Sequence, residues 1–478
     1  MIRACRDLGM AAVAVYSDAD RGALHVRLAD EAYPIGPAAP RESYLAIDKL
    51  VAVATRTGCD SVHPGYGFLS ENADFATAVR KAGLAFVGPP AEVQRLLGEK
   101  TRARHLAAEA GIPVVDGAPD PLKNIDEARE VAARVGYPVM LKAAGGGGGK
   151  GMRIVRTAVE LDAAWRVATG EAASAFGTRA LFLERLIEGA RHIEVQLIAD
   201  DHGNIVWLGE RDCSVQRRHQ KLIEESPGPG VDDDLRARLG DAAVRIARKA
   251  GYRNAGTVEF LVNDERQFFF LEVNTRLQVE HPVTELVTGL DLVALQFRVA
   301  AGERLPFAQD EVRRSGAAIE LRVTAEDARA GFVPASGTIA LLRLPSGPGV
   351  RVDHALFEGM PVPTEYDPLL AKIVVWGTDR ATAVARARRA VRETVIAGLP
   401  TSLSFHAHAL ADPDFATGRY DTGFVASHWP PAEPPNLVGT ALTSAALVAV
   451  LASRARSAHG SNGVATAWQR TAREDALR

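Results

Sequence analysis

The chain has 478 residues, enough for roughly two to four domains of ordinary size. Hydrophobic residues at 47% and charged residues at 24% exclude a disordered or collagen-like chain. With 56 basic against 59 acidic residues and a net charge of −3, nothing draws the whole molecule to nucleic acid or to a membrane surface, so any bound anion must be held locally.

Cys5, Cys59 and Cys213 are the only cysteines, which gives no disulfide framework and no pair at zinc-ligand spacing and fits a reducing cytoplasm. The first twenty residues lack the apolar core and cleavage site of a signal peptide. The apolar stretch at 441–452 is shorter than the roughly 20 residues of a membrane helix, and an Ala-rich amphipathic helix is expected there.

In chain order, residues 1–98 alternate short apolar strands (AAVAVYS, EAYPIG, SVHPG, LAFVGP) with helical stretches such as YLAIDKLVAVATRTG and NADFATAVRKAG, the rhythm of a parallel, Rossmann-like α/β sheet. Residues 1–8 read as the last turns of a helix ending at Gly9, and the strand that should precede such a helix is missing from the sequence. Residues 99–298 carry longer, antiparallel-looking strands and an inserted segment at about 114–186. Residues 314–425 form a third, mixed α/β region, and residues 430–478 read as a Pro-rich linker and Ala-rich tail.

Five constellations could carry chemistry. KAAGGGGGKGMRIV, residues 142–155, is a hairpin loop in which five glycines leave backbone N–H groups free to close over phosphates between Lys142 and Lys150. It departs from a Walker A loop, since Ala144 and Gly151 stand where Gly and Ser or Thr belong. In GTVEFLV-NDERQ-FFFLEVN, pairing about the point between Glu265 and Arg266 sets Glu259 opposite Glu272, with Cβ atoms about 4.5–5.5 Å apart. Two such acids need a positive partner; magnesium fits, and an arginine from elsewhere would also serve. Next, Glu272, Asn274, Arg276, Gln278 and Glu280 recur at period two, so an extended backbone points them all one way, with Arg276 suited to a carboxylate and Glu280 to a base. ERDCSVQRRHQKLIEE packs Arg211, Arg217, Arg218, His219 and Lys221 into eleven residues. Such a run is ordinarily a solvated face, yet four of only nine lysines (Lys100, Lys142, Lys150, Lys221) fall in or beside these motifs. HPGYGFLSEN, residues 63–72, is explained as a turn, but it sits at a strand C-terminus, where parallel sheets place their sites.

These motifs, with ELRVTAED, occur in an order and spacing that resemble the biotin carboxylase subunit or domain of acyl-CoA carboxylases (acetyl- or propionyl-CoA), an ATP-grasp enzyme, over residues 1–425. The resemblance implies a multidomain α/β and α+β fold: a truncated N-terminal domain (1–98), an ATP-grasp domain (99–298) with a glycine-rich lid, and a C-terminal domain (314–425). It implies ATP contacts at Lys100, Lys142, Gly148, Gly149, the hinge Glu184, Arg185, Leu186 and Ile187, and at His192, Gln216 and His219. By the same likeness Glu259, Glu272 and Asn274 hold magnesium or manganese. Lys221, Arg276, the backbone of Val279 and Glu280 hold bicarbonate, and Arg322 faces the biotin ureido oxygen. Glu280 would deprotonate bicarbonate, whose oxyanion would attack ATP to give carboxyphosphate, and the lid would keep water away.

The family's opening strand and its Asn-Arg-Gly-Glu-Ile-Ala turn are not in this sequence, and Thr324 stands where Asn is common. The expectation is a late start or a defective first domain. No Ala-Met-Lys-Met motif is present, so either biotin is expected on a carrier in trans or the chain is part of a longer one; an acyl-CoA carboxyltransferase subunit and a homodimer are expected beside it. The alternatives are another ATP-grasp ligase, of urea carboxylase or carbamoyl-phosphate type, and a nucleotide-binding remnant without turnover.

Overall fold

The structure, a computed structural model, describes residues 1–143 and 152–430. Gly148, Gly149 and Lys150 of the glycine loop, and the linker and tail beyond Pro430, lie outside the described residues.

The opening helix is Ile2–Asp7, and Gly9 ends it at a φ of +71° that favours glycine. The expected parallel sheet is present as two separate pairs: Val13–Ser17 beside Glu31–Gly36, and Ser61–Val62 beside Ala85–Phe86. Between the second pair runs the helix Ala73–Lys81, started by Asn72, whose Oδ1 accepts from the Phe75 N–H at 2.8 Å.

The centre of the molecule is one eight-stranded antiparallel sheet. Its order is Phe268–Asn274, Asn254–Val262, Arg191–Ala199, Ile205–Arg217, Gln220–Ser226, Ala317–Thr324, Leu369–Gly377, Val350–His354. Period-two alternation explains its two faces. Ile193, Val195, Leu197, Val258 and Phe260 bury against helix Asp233–Ala250 through Leu235, Leu239 and Ile246, each such side chain contributing about 1.5–3 kcal/mol. The intervening residues, His192, Glu194, Gln196, Thr257 and Glu259, turn to the other face, which is also covered and holds a polar network. Register shifts interrupt the pairing beside Glu259, Val195, Lys221, Ile223 and Val323.

The inserted segment forms its own three-stranded sheet, Met152–Val155, Val139–Ala143 and Leu181–Arg185, flanked by helices Ile125–Val135 and Leu161–Phe176. Lys142 pairs with Met152, so the strands flanking the glycine loop form the expected hairpin. Gly117 crosses this sheet so closely that a Cβ there would lie 2.4 Å from the Leu183 carbonyl oxygen.

Two expectations are corrected. Glu259 does face Glu272, but not by symmetry about Glu265 and Arg266: Phe260 pairs with Phe270 and Val262 with Phe268, centring the turn on Glu265, and a bulge at Leu271 restores the opposition. The residues from Glu272 to Glu280 are not one extended floor. The strand ends at Asn274, and Pro282 initiates helix His281–Thr288 with Glu280 as its N-cap residue.

Candidate active site

The polar face of the sheet gathers the residues singled out from the sequence into one ion-pair network. Lys221, from strand Gln220–Ser226, places Nζ 2.5 Å from Glu194 Oε2, 2.9 Å from Glu259 Oε1 and 2.7 Å from Glu280 Oε1. Burial works against its charge, but the three carboxylates prevail and hold the ammonium well above the usual lysine range. Burial likewise opposes ionisation of Glu280, yet Lys221, Arg322 and Arg211 keep it well below the usual carboxylate range. Arg322 donates from Nε to Glu224 Oε1 at 2.5 Å and from a terminal nitrogen to Glu280 Oε2 at 2.7 Å. Glu280 is therefore shared between Lys221 and Arg322.

Glu259 also meets His192 Nε2 at 2.8 Å, Asn274 Nδ2 at 2.8 Å and Gln278 Nε2 at 2.8 Å. His192 Nδ1 lies 3.0 Å from Gln216 Nε2. Burial would lower His192, but the Glu259 carboxylate outweighs it and leaves the imidazole raised. Glu272, across the strand pair, is raised by burial and by the charge of Glu259, and Lys100, the first residue of helix Lys100–Glu109, pulls it back. Glu259, Glu272 and the Asn274 amide oxygen form an all-oxygen donor set whose two acids repel each other, which suits a hard divalent cation. In this structure Asn274 Oδ1 accepts from Arg276 at 3.1 Å.

Arg276 is aimed by a residue that the motifs alone do not single out: Glu71 of HPGYGFLSEN accepts from Arg276 Nε and from the Thr275 N–H, each at 2.9 Å. Burial lowers Arg276, and Glu71 more than restores it. Glu194, which the sequence does not announce, and Arg211, which it places only in the basic run, are further members of the site. Arg211 is fully buried and donates to Glu194, Gln196, Thr257, Gln278 and Thr284. The solvated-face reading thus fails for Arg211 and Lys221 and holds for exposed Arg218 and His219, which form the turn at positive φ. The signal for Glu194 was its period-two spacing from His192 and Gln196.

The expected hinge lies apart from this network. Glu184 and Arg185 end strand Leu181–Arg185, Leu186 and Ile187 follow, and the Leu186 N–H donates to the Pro138 carbonyl at 2.9 Å. Lys142 is ion-paired with Glu184, whose other oxygen lies 3.6 Å from Arg104. Although His219 is exposed at its surface, the protein crowding its ring lowers it, and the charges of Lys142, His192 and Lys100 lower it further, so the turn shares the field of the lysines. The Val279 carbonyl accepts from Lys372 Nζ at 2.8 Å.

A glycine-loop hairpin on a small three-stranded sheet, beside a large antiparallel sheet whose polar face gathers buried acids, Lys221 and arginines, fits an ATP-dependent carboxylase of the ATP-grasp type. Three family descriptions match in sequence: "Biotin carboxylase, N-terminal domain" at residues 1–94, "Carbamoyl-phosphate synthase L chain, ATP binding domain" at 99–308, and "Biotin carboxylase C-terminal domain" at 320–427. A biotin carboxylase of Nostoc sp. is 49% identical over 425 residues, 89% of this chain and 95% of that one. The chain belongs to the biotin carboxylase family. Among solved structures, a Campylobacter jejuni biotin carboxylase in a βγ-ATP complex superposes with a TM-score of 0.87 at 43% identity, covering 89% of this chain and 95% of that one. The biotin carboxylase domain dimer of Hydrogenobacter thermophilus 2-oxoglutarate carboxylase, with MgADP, ADP and bicarbonate, gives 0.87 at 43%, covering 89% and 94%.

Proposed function

We propose that the chain carries out the ATP-dependent carboxylation of biotin by bicarbonate, with each site residue in the role its surroundings support. The carrying observation is the shared Glu280: one carboxylate touches both Lys221, beside the metal-side acid Glu259, and Arg322. Arg276 and Lys221, with the backbone of Val279, hold bicarbonate. Glu280 accepts its proton, becoming a stronger base as Lys221 turns to the incoming anion. Lys100 and Lys142 neutralise phosphate charge, His192, Gln216 and His219 supply further nucleotide contacts, and Glu184, Arg185, Leu186 and Ile187 cradle the base of ATP. Glu259, Glu272 and Asn274 would hold magnesium or manganese, which when bound supplies charge neutralisation at the phosphates. Arg322 faces the ureido oxygen and stabilises the enolate-like biotin.

The domains in this reading are 1–98, 99–298 with a lid at about 114–186, and 314–425. Biotin arrives on a carrier protein or domain, a carboxyltransferase subunit takes the product, the chain pairs as a homodimer, and the free thiols of Cys5, Cys59 and Cys213 suit the cytoplasm. Among the described residues no helix is long and apolar enough to cross a membrane. The test is ADP release with bicarbonate, with and without free biotin. Activation by biotin, and loss of that activation in Arg322→Ala with nucleotide affinity retained, is expected. Turnover indifferent to biotin would point to another ATP-grasp ligase, and no turnover to a remnant.

A further inference from the structure

Two buried acids beside Arg322 have no role in the proposed reaction, and the role assigned to them here rests on Arg322 serving biotin. Glu224 and Glu320 stand directly opposite each other on the antiparallel strands Gln220–Ser226 and Ala317–Thr324. Their Cβ atoms therefore lie about 4.5–5.5 Å apart on one face of the sheet. Both residues are fully buried. Glu224 gives Oε1 to Arg322, but its Oε2 and both oxygens of Glu320 have no hydrogen-bond partner among the described residues.

Each nearby charge is already engaged. Arg322, on Glu320's own strand, is bonded to Glu224 and to Glu280 at the head of helix His281–Thr288. Lys372, on the neighbouring strand, donates to the Val279 carbonyl, lies 3.5 Å from Asp353 and sits 5.8 Å from the centre of the Tyr66 ring. Two ionised carboxylates side by side here would include a buried charge with no counter-ion, at a cost of several kcal/mol. One proton satisfies both groups at once.

We infer that Glu320 is the neutral member of a proton-sharing acid pair, its O–H donating to Oε2 of Glu224, so that Glu224 stays anionic and turned toward Nε of Arg322. The local charges agree. Burial, partly offset by Lys372, and the charge of Glu224 push Glu320 well above the usual carboxylate range, and burial, partly offset by Arg322, pushes Glu224 up to about 7. The proton stays on the pair throughout turnover. When Glu280 is neutralised by the proton from bicarbonate, Arg322 loses one of its two carboxylates, and Glu224 becomes the anion that keeps the guanidinium aimed at biotin. Glu320 is thus a positioning residue acting through Glu224.

The experiment is the pH dependence of biotin-dependent ADP release by the full chain, with infrared spectra of the same proteins. Glu320→Ala leaves Oε2 of Glu224 without a donor and lowers turnover about tenfold; Glu320→Gln, whose amide donates in the same place, restores it. The Gln variant has no proton to lose, so its alkaline limb moves up by about one pH unit or more. Equal impairment in Ala and Gln variants, or an unmoved limb, overturns the assignment, and the Gln profile decides if the Ala variant does not fold. The infrared arm is independent of biotin. A protonated-carboxyl stretch at neutral pH that Glu320→Gln deletes supports the pair even if biotin fails to activate the enzyme. Its absence from the wild type overturns the pair even in a biotin-activated one.

Discussion

Two glutamate pairs face each other across neighbouring strands of the same sheet, Glu259 with Glu272 and Glu224 with Glu320. Around Glu259 the fold sets His192, Lys221, Asn274 and Gln278, four donors that favour the ionised form. Around the second pair, among the described residues, only Arg322 reaches one oxygen and three oxygens have no donor. The same backbone register therefore serves two electrostatic ends. An acid lined with donors keeps its charge even beside a second carboxylate and suits a divalent cation, whereas a pair with so few donors favours its neutral form and suits a proton.

The sharpest way to break the contrast is Lys221→Met, which takes one counter-charge from Glu194, Glu259 and Glu280 together. Bicarbonate-dependent ATP cleavage should fall by about 10³-fold, and thermal or urea unfolding should show a loss of roughly 3–5 kcal/mol. Wild-type-like stability would mean that the three carboxylates are satisfied without it.

Acid should unfold the Arg322 side next. His406 is buried, its Nε2 is 2.7 Å from the Arg322 carbonyl oxygen, and burial, slightly offset by that bond, holds its pKa down to about 4 against 6.5 when exposed. The native state therefore stays unprotonated while the unfolded chain takes up a proton. Stability is full above pH 6.5, declines as pH falls toward 4 and levels below it, by about 3 kcal/mol at 1.36 kcal/mol per unit. Urea unfolding of His406→Gln across that range should show a flatter profile.

At the metal-side pair, Glu272→Gln removes the repulsion and one oxygen charge, so the magnesium concentration giving half-maximal ATP turnover should rise about 10–100-fold. No change would place the cation elsewhere. Smallest is Glu71→Gln: without its carboxylate Arg276 loses its aim, and the KM for bicarbonate should rise about tenfold with kcat less affected.

Much of the site was legible because it is written in local patterns. The helix ending at Gly9 and the strands flanking the glycine loop follow from short-range periodicity and turn chemistry, whereas the glutamate opposition also needs the bulge at Leu271, which periodicity does not show. The extended floor failed because period two holds only while a strand lasts, and Pro282 ends the pattern by starting a helix. Even so, Gln278 and Glu280 arrive at the site, brought back by the turn and not by the pleat. Glu194 and Glu71 were not singled out, and Arg211 only as one of a basic run, for a different reason. Their partners lie 15 to 205 positions away, and a buried arginine with five acceptors has the same sequence signature as a solvated one.

The register shifts along the large sheet set the reach of the site. Lys221 and Glu259 stand on strands three spacings apart, about 14 Å in a flat sheet, farther than the two side chains extend when both stand upright. Yet Nζ and Oε1 are 2.9 Å apart. Register shifts at Lys221/Ile223 and Val195/Leu197 fall in the strand pairs that separate the two residues, and bulges there increase local twist and help the side chains lean together. Catalytic distance in this protein thus depends on strand register as well as on residue type. Deleting Leu222 would keep every polar group and still pull the lysine from the acid, so the count of residues along these strands matters to the site as much as the identity of those lining it.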